Sequence, residues 1–200
     1  MNSVKTKLEQ IEQRFLEVSG LKLDLSQYPL QKSNEQQVVT NKEKSDKHGE
    51  VFTPLWLVDE MLERYDAWED QDKTTEDLCS GYGQFTIRML RKKYSVLGES
   101  FDIDKFLGKT HLFSEIQPGS CFRLLYVFGT GIRLLMGDVM QRGNLPDEAE
   151  IGIWVLVGAE WQDKTNKIRH LFKKHNRNRL IGENADSFER DVSKFYYKII

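Results

Sequence analysis

A parallel, doubly wound α/β sheet preceded by an N-terminal helix is the fold class that this chain predicts. Three observations carry that expectation. Segments with helical spacing alternate with short apolar runs suited to buried strands, the pattern of a sheet built from crossover units. Asp77-Leu-Cys-Ser-Gly81-Tyr-Gly83-Gln-Phe85 sets a glycine turn between a short strand and a helix. Ile151-Gly-Ile-Trp-Val-Leu-Val157 is rich in β-branched residues, which fit a pleated, packed surface.

The elements follow in order. Residues 4–18 read as an amphipathic helix, because Leu8, Ile11, Phe15 and Val18 recur at three- and four-residue steps, with Gly20 as its C-cap. Residues 20–47 are polar and rich in Gln, Asn, Lys and Ser, so 1–47 is expected to be a helix and linker ahead of an α/β domain over 48–200. Thr53-Pro54 opens a helix carrying Leu57, Val58, Met61 and Leu62; proline is harmless there because its missing N–H would be unpaired anyway. Residues 68–74 read as an acidic loop and 74–78 as the first strand, with Leu78 its strongly apolar member. A helix is expected from Phe85 to Tyr94, another over 109–128 stopped by Gly129, a strand over Ile132–Met136 and a stronger one over Ile151–Val157. Phe195–Ile200 suits a terminal strand.

Bulk composition narrows the function classes. Two hundred residues with 39% hydrophobic and 30% charged content suit one globular domain. A net charge of −2 means that any nucleic-acid surface must be local. Cys79 and Cys121 are too few for a disulfide framework, lack metal-ligand spacing and read as small packing residues. No signal peptide or apolar run of about 18 residues is visible, which points to no membrane partner and a reducing, cytoplasmic setting.

In an open α/β sheet, ligands collect at the carboxyl ends of the strands. Three such places carry a glycine turn or an acid: Asp77-x-x-x-Gly81-x-Gly83, Ser114-Glu115-Ile-Gln117-Pro ahead of a helix, and Met136-Gly137-Asp138. Upstream lies Gly49-Glu-Val-Phe52-Thr53-Pro54. Together these segments resemble the cofactor-binding half of the S-adenosylmethionine-dependent, adenine-specific DNA methyltransferases, over about residues 48–158. The resemblance implies a Rossmann-like methyltransferase fold. It implies that Asp77, Gly81 and Gly83 form the principal S-adenosylmethionine motif, that Phe52 and Thr53 close over the cofactor, and that Asp138 meets the adenine ring. For the ribose, Glu115 has better context than Asp102 or Asp104, with residues about 98–110 as an insertion. The alternative for each acid is a helix cap or a solvated charge.

The family supplies Asn/Asp-Pro-Pro-aromatic after the fourth strand, to hold the target amine and stack the flipped base. Here the strand is followed by Gly158-Ala159-Glu160-Trp161. Glu160 and Trp161 are the only candidates for the catalytic position, and Trp161 could equally be a packing residue. About 40 residues follow, so the resemblance implies a truncated sheet with a charged tail, as in a phage-encoded or degenerate relative of restriction-modification enzymes. Lys164, Lys167, Arg169, Lys173, Lys174, Arg177 and Arg179, interleaved with Ile168, Leu171 and Phe172, form a basic amphipathic segment over 164–179. Such a run suits DNA phosphates, with a solvated helix face as the alternative. Three functions remain open: an S-adenosylmethionine-dependent enzyme acting at adenine N6, a non-catalytic descendant that binds DNA, a protein partner or a second copy of itself, or a different nucleotide-binding enzyme on the same α/β scaffold.

Overall fold

The computed structural model describes residues 3–32, 53–138, 140–141 and 151–174, with 194, 196–198 and 200. The first helix, α1 (Val4–Ser19), forms where the periodicity places it. Ser3 accepts the Thr6 N–H at its start, and Gly20, at φ 69°, closes it in the left-handed conformation that glycine adopts without a Cβ penalty. Leu8, Ile11 and Phe15 are buried. Pro54 stands directly ahead of α2 (Leu55–Leu62), whose Val58 and Leu62 face the core while Met61 is exposed.

Next come β1 (Thr75–Asp77), α3 (Gln84–Leu97), a 3₁₀ turn (Gly98–Ser100), a helical turn (Ile103–Lys105) and a π-helix (Phe106–Thr110). They lead into β2 (His111–Glu115), α4 (Pro118–Phe128), β3 (Arg133–Met136), β4 (Ile153–Val157), β5 (Glu160–Asp163) and α5 (Thr165–Lys174).

The segment 109–128 is therefore not one helix. His111–Glu115 is a fully buried strand and the helix starts only at Pro118. Proline disfavours helical backbone in the residue before it and lacks the N–H to continue a helix through that point. Residues 194 and 196–198 are helical, so the expected terminal strand does not form there. Leu78 lies in the turn beyond β1 and is half exposed, so it is not what anchors that strand.

The sheet is α/β and mostly parallel: β1 to β4 run parallel and β5 returns antiparallel to β4. Its order, β1-β2-β3-β4-β5, simply follows the chain. A doubly wound sheet reverses its strand order and carries helices on both faces; among the described residues neither occurs. One face, with Phe113, Leu134, Ile153 and Val155, shares a single core with residues of all five helices. The other face carries a small separate cluster of Leu112, Leu135 and Trp161, flanked by Trp154 and Leu156.

Charged groups lie deep in the helix layer. Arg88 and Asp59, both wholly buried, form a two-point ion pair, with Nε to Oδ1 at 2.7 Å and Nη2 to Oδ2 at 2.8 Å. Arg88 also donates to the Leu25 and Gln27 carbonyls, and Asp59 accepts the Leu30 N–H. This pins residues 25–30 to α2 and α3, and Leu25 is buried, so the first part of the expected linker is packed. The rest of that linker and its boundary near 47 lie outside the described residues. Glu12 and Arg91 make a second buried pair joining α1 to α3. The 98–110 segment, expected as an insertion, contributes Phe101, Ile103, Phe106 and Leu107 to the core.

Candidate functional site

The carboxyl ends of β1, β2 and β3 are adjacent and carry Asp77, Glu115 and Asp138. The β1–β2 ladder pairs Asp77 with Phe113, and the β2–β3 ladder pairs Glu115 with Met136. The Gly137 N–H donates to the Glu115 carbonyl at 3.0 Å, which carries the ladder out to the residue before Asp138.

The glycine turn is fastened to β2 at several points. Ser80 N–H donates to the Ser114 carbonyl at 3.0 Å, and Ser114 N–H donates to Ser80 Oγ at 3.1 Å. The Gly81 N–H donates to Glu115 Oε2 at 2.8 Å, while Glu115 Oε1 accepts the Gln117 N–H at 2.7 Å. Glu115 is thus a buried clasp between the turn after β1 and the loop into α4. Gly81 (φ 53°) and Gly83 (φ 89°) both occupy left-handed backbone. At Gly83 a further constraint applies: a Cβ there would lie 2.4 Å from the Phe128 ring. Its glycine identity is explained by packing against α4 as well as by the turn.

Asp77 is half-buried at the head of this edge. Burial pushes its carboxyl up to about 7, and the neighbouring Glu115 charge pushes in the same direction. Asp138 accepts the Met140 N–H at 2.9 Å and so closes the turn after β3. No group of three or more His, Cys, Asp or Glu side chains placed to hold a metal occurs among the described residues.

Asp102 caps the 103–105 turn by accepting the Lys105 N–H at 2.9 Å, and Asp104 pairs with Lys7 at 2.5 Å. Both have structural roles, and Glu115 is the acid that stands beside the glycine turn. Thr53 is half-buried at the start of α2, which packs on α3; Phe52 lies outside the described residues. Cys121 is buried and its Sγ donates to the Glu115 carbonyl, whereas Cys79 is exposed, so only Cys121 packs as expected.

The expected catalytic position has a different character. Gly158 and Ala159 form a tight turn, and Glu160 and Trp161 begin β5, paired with Val157 and Leu156 of β4. Trp161 is 6% exposed, and its Nε1–H donates to the Gln141 carbonyl at 3.2 Å. Its ring belongs to the second core cluster, so it is not a free platform for a base. Glu160 is exposed at the start of the same strand.

In α5, Ile168 is wholly buried and Phe172 stacks on Phe122, while Lys167, Arg169 and Lys173 are exposed. The amphipathic pattern is real. Its position is away from the carboxyl edge of β1–β3. Thr165 Oγ1 accepts the Ile153 N–H at the amino end of β4, and Arg169 donates to the Thr130 carbonyl ahead of β3. The basic helix thus begins at the opposite end of the sheet from Asp77 and Glu115. Lys174 ends α5, and Arg177 and Arg179 lie outside the described residues.

Sequence reasoning missed His111 and Thr86. His111 is wholly buried at the start of β2, with Nδ1 2.8 Å from Thr75 Oγ1 and Nε2 2.7 Å from Thr86 Oγ1. Comparison with protein-family models, with curated proteins and with solved structures finds no match to this chain.

Proposed function

We propose that this chain is an S-adenosylmethionine-binding protein of the DNA methyltransferase type, with the cofactor at the carboxyl edge of β1–β3. The observation that carries the reading is the clasp between the Gly81 N–H and Glu115. It brings a glycine turn, a helix N-terminus and the acids of neighbouring strands to one edge, the combination that an adenosyl ligand needs. In this reading Asp77, Gly81 and Gly83 shape the amino-acid end of the site. Glu115 faces the ribose, Asp138 the adenine, and Phe52 and Thr53 close over it.

The ancestral reaction is methyl transfer to adenine N6 in a phage-type or restriction-modification setting in the bacterial cytoplasm. A second reading is favoured by one observation: the segment expected to hold the target base is a β-hairpin with Trp161 packed inside. That supports a non-catalytic descendant that keeps the fold and binds DNA or a protein partner. The exposed Lys167, Arg169 and Lys173, with Lys174 and Arg177 following, would meet DNA phosphates away from the cofactor edge.

Calorimetry with S-adenosylmethionine and S-adenosylhomocysteine tests the cofactor reading. Micromolar binding, weakened about tenfold or more by Asp138→Ala in the turn after β3, is the expected result (~1.4 kcal/mol or more). An absence of binding at millimolar cofactor overturns it. Methyl transfer to duplex DNA then separates the two readings. Retention on DNA that falls with salt, and falls further in Lys167→Glu/Lys173→Glu, is expected for the basic helix; unchanged retention makes it a solvated face.

A further inference from the structure

Between the sheet and α3 runs a line of polar side chains that the proposed function does not use. Thr75 on β1 and Thr86 on α3 meet the two ring nitrogens of His111 from opposite sides, at 2.8 and 2.7 Å. Thr86 Oγ1 also lies 3.5 Å from Asp77 Oδ2, the longest link of the series. The imidazole has no freedom to turn: Phe106 stacks on it with ring centroids 4.9 Å apart, and Phe113 meets it edge-on at 4.7 Å.

We propose that Thr86 and His111 are positioning residues for the carboxyl edge: with Thr75 they form a hydrogen-bonded wire that ends on Asp77 and reverses direction when Asp77 gains or loses its proton. The wire is a property of this fold; its use in cofactor binding rests on the reading above.

The reversal follows from donor and acceptor capacity. A neutral imidazole has one donor and one acceptor nitrogen, and a hydroxyl donates only one hydrogen bond. When Asp77 is protonated, its O–H donates to Thr86, Thr86 donates to His111 Nε2, and the Nδ1–H donates to Thr75. When Asp77 is ionised, one proton has gone to solvent and the carboxylate accepts from Thr86. Thr86 must then accept from His111, so the imidazole hydrogen sits on Nε2 and Nδ1 accepts from Thr75. The imidazole itself stays neutral, because burial, aided by the Arg133 charge, holds its pKa down at about 3. Asp77 is faced by Glu115 from the end of β2 and by Glu76 on its own strand, which both oppose ionisation, with the Cys79 thiol near both Asp77 and Glu115. Its carboxyl, pushed up to about 7, makes the reversal accessible near neutrality.

The test is a long-range ¹H–¹⁵N correlation spectrum of the full chain labelled in histidine, taken from pH 5 to pH 9. The His111 signal should pass from the Nδ1–H to the Nε2–H form, with the midpoint at which the Asp77 carboxyl titrates. The switch should persist in Thr86→Ser, which keeps the hydroxyl, and vanish in Asp77→Asn and in Thr86→Val. One unchanging tautomer in the wild-type chain overturns the wire, as does a switch that survives Thr86→Val. S-adenosylmethionine affinity, measured over the same range, should change about fivefold or more in the wild type and lose that dependence in Asp77→Asn. In Thr86→Val its midpoint should move to higher pH, because the Thr86 hydrogen bond holds the Asp77 carboxyl down against burial. A tautomer switch without cofactor binding keeps the wire and removes the cofactor reading. Binding whose pH midpoint is the same in Thr86→Val removes the positioning role.

Discussion

Asp77 is the residue at which the candidate site touches stability. Its carboxyl titrates near 7 in the folded chain against an ordinary value of 3.8, so the folded state holds a proton that the unfolded chain has released. The contribution is fully present below about pH 4 and is lost as pH rises through 7. Asp77→Asn removes the titration. Its stability relative to the wild type should therefore be smallest near pH 4 and should rise by about 2–4 kcal/mol by pH 8. Urea unfolding at both pH values measures this, and a pH-independent difference refutes it. His111 works in the opposite sense: held down near 3, it costs stability as pH falls below its ordinary 6.5. Asp77 and Glu115 were legible in the sequence because a glycine turn and an Ile-Gln-Pro break mark strand ends. His111 was not, because a lone histidine carries no sign of the two hydroxyls that fold against it.

At the scale of elements, helices with regular spacing and clean caps were read closely; α1 and its Gly20 cap formed as expected. Failures came where one element runs directly into another. β2 lies between a π-helix and α4 and begins where the π-helix ends, with no loop between the two. The β4–β5 hairpin is hidden in the sequence because Glu160-Trp161 stands at the position expected for a catalytic loop, while the Gly158-Ala159 turn makes it a strand. Trp161 therefore belongs to the sheet, and Trp161→Ala should destabilise the chain by about 3–5 kcal/mol through the cavity it leaves. A change below about 1 kcal/mol in chemical denaturation would return Trp161 to the list of ligand residues. Gly83 is constrained in a similar way. Gly83→Ala sets a methyl against Phe128 and forces a side chain into φ 89°. It should cost about 2 kcal/mol or more, visible as a lowered melting temperature without any cofactor present.

For the molecule as a whole, the two buried ion pairs bind the helix layer together, and neither was visible in the sequence. Asp59 and Arg88 lie 29 residues apart and look like ordinary surface charges on two amphipathic helices. Asp59→Ala leaves a buried guanidinium without its carboxylate and should cost about 3–5 kcal/mol, whereas the double change Asp59→Leu/Arg88→Met should recover a large part of that loss. If the double variant is no more stable than the single one, the pair contributes more than mutual compensation.

The strand order bears on the candidate site in another way. Because the sheet follows the chain, β1, which heads the glycine turn, is one of the two edge strands among the described residues, only three residues long, and its pairing of Thr75 with His111 closes the longest loop in the ladder. Loop closure costs more as the loop lengthens, and short outer strands are the first to open in local unfolding. A ligand resting on Gly81 and Glu115 would act as a bolt across that opening. Amide hydrogens of β1 should then exchange fastest in the sheet of the unliganded chain and slow selectively once the edge is filled, so the protection of three residues would report occupancy.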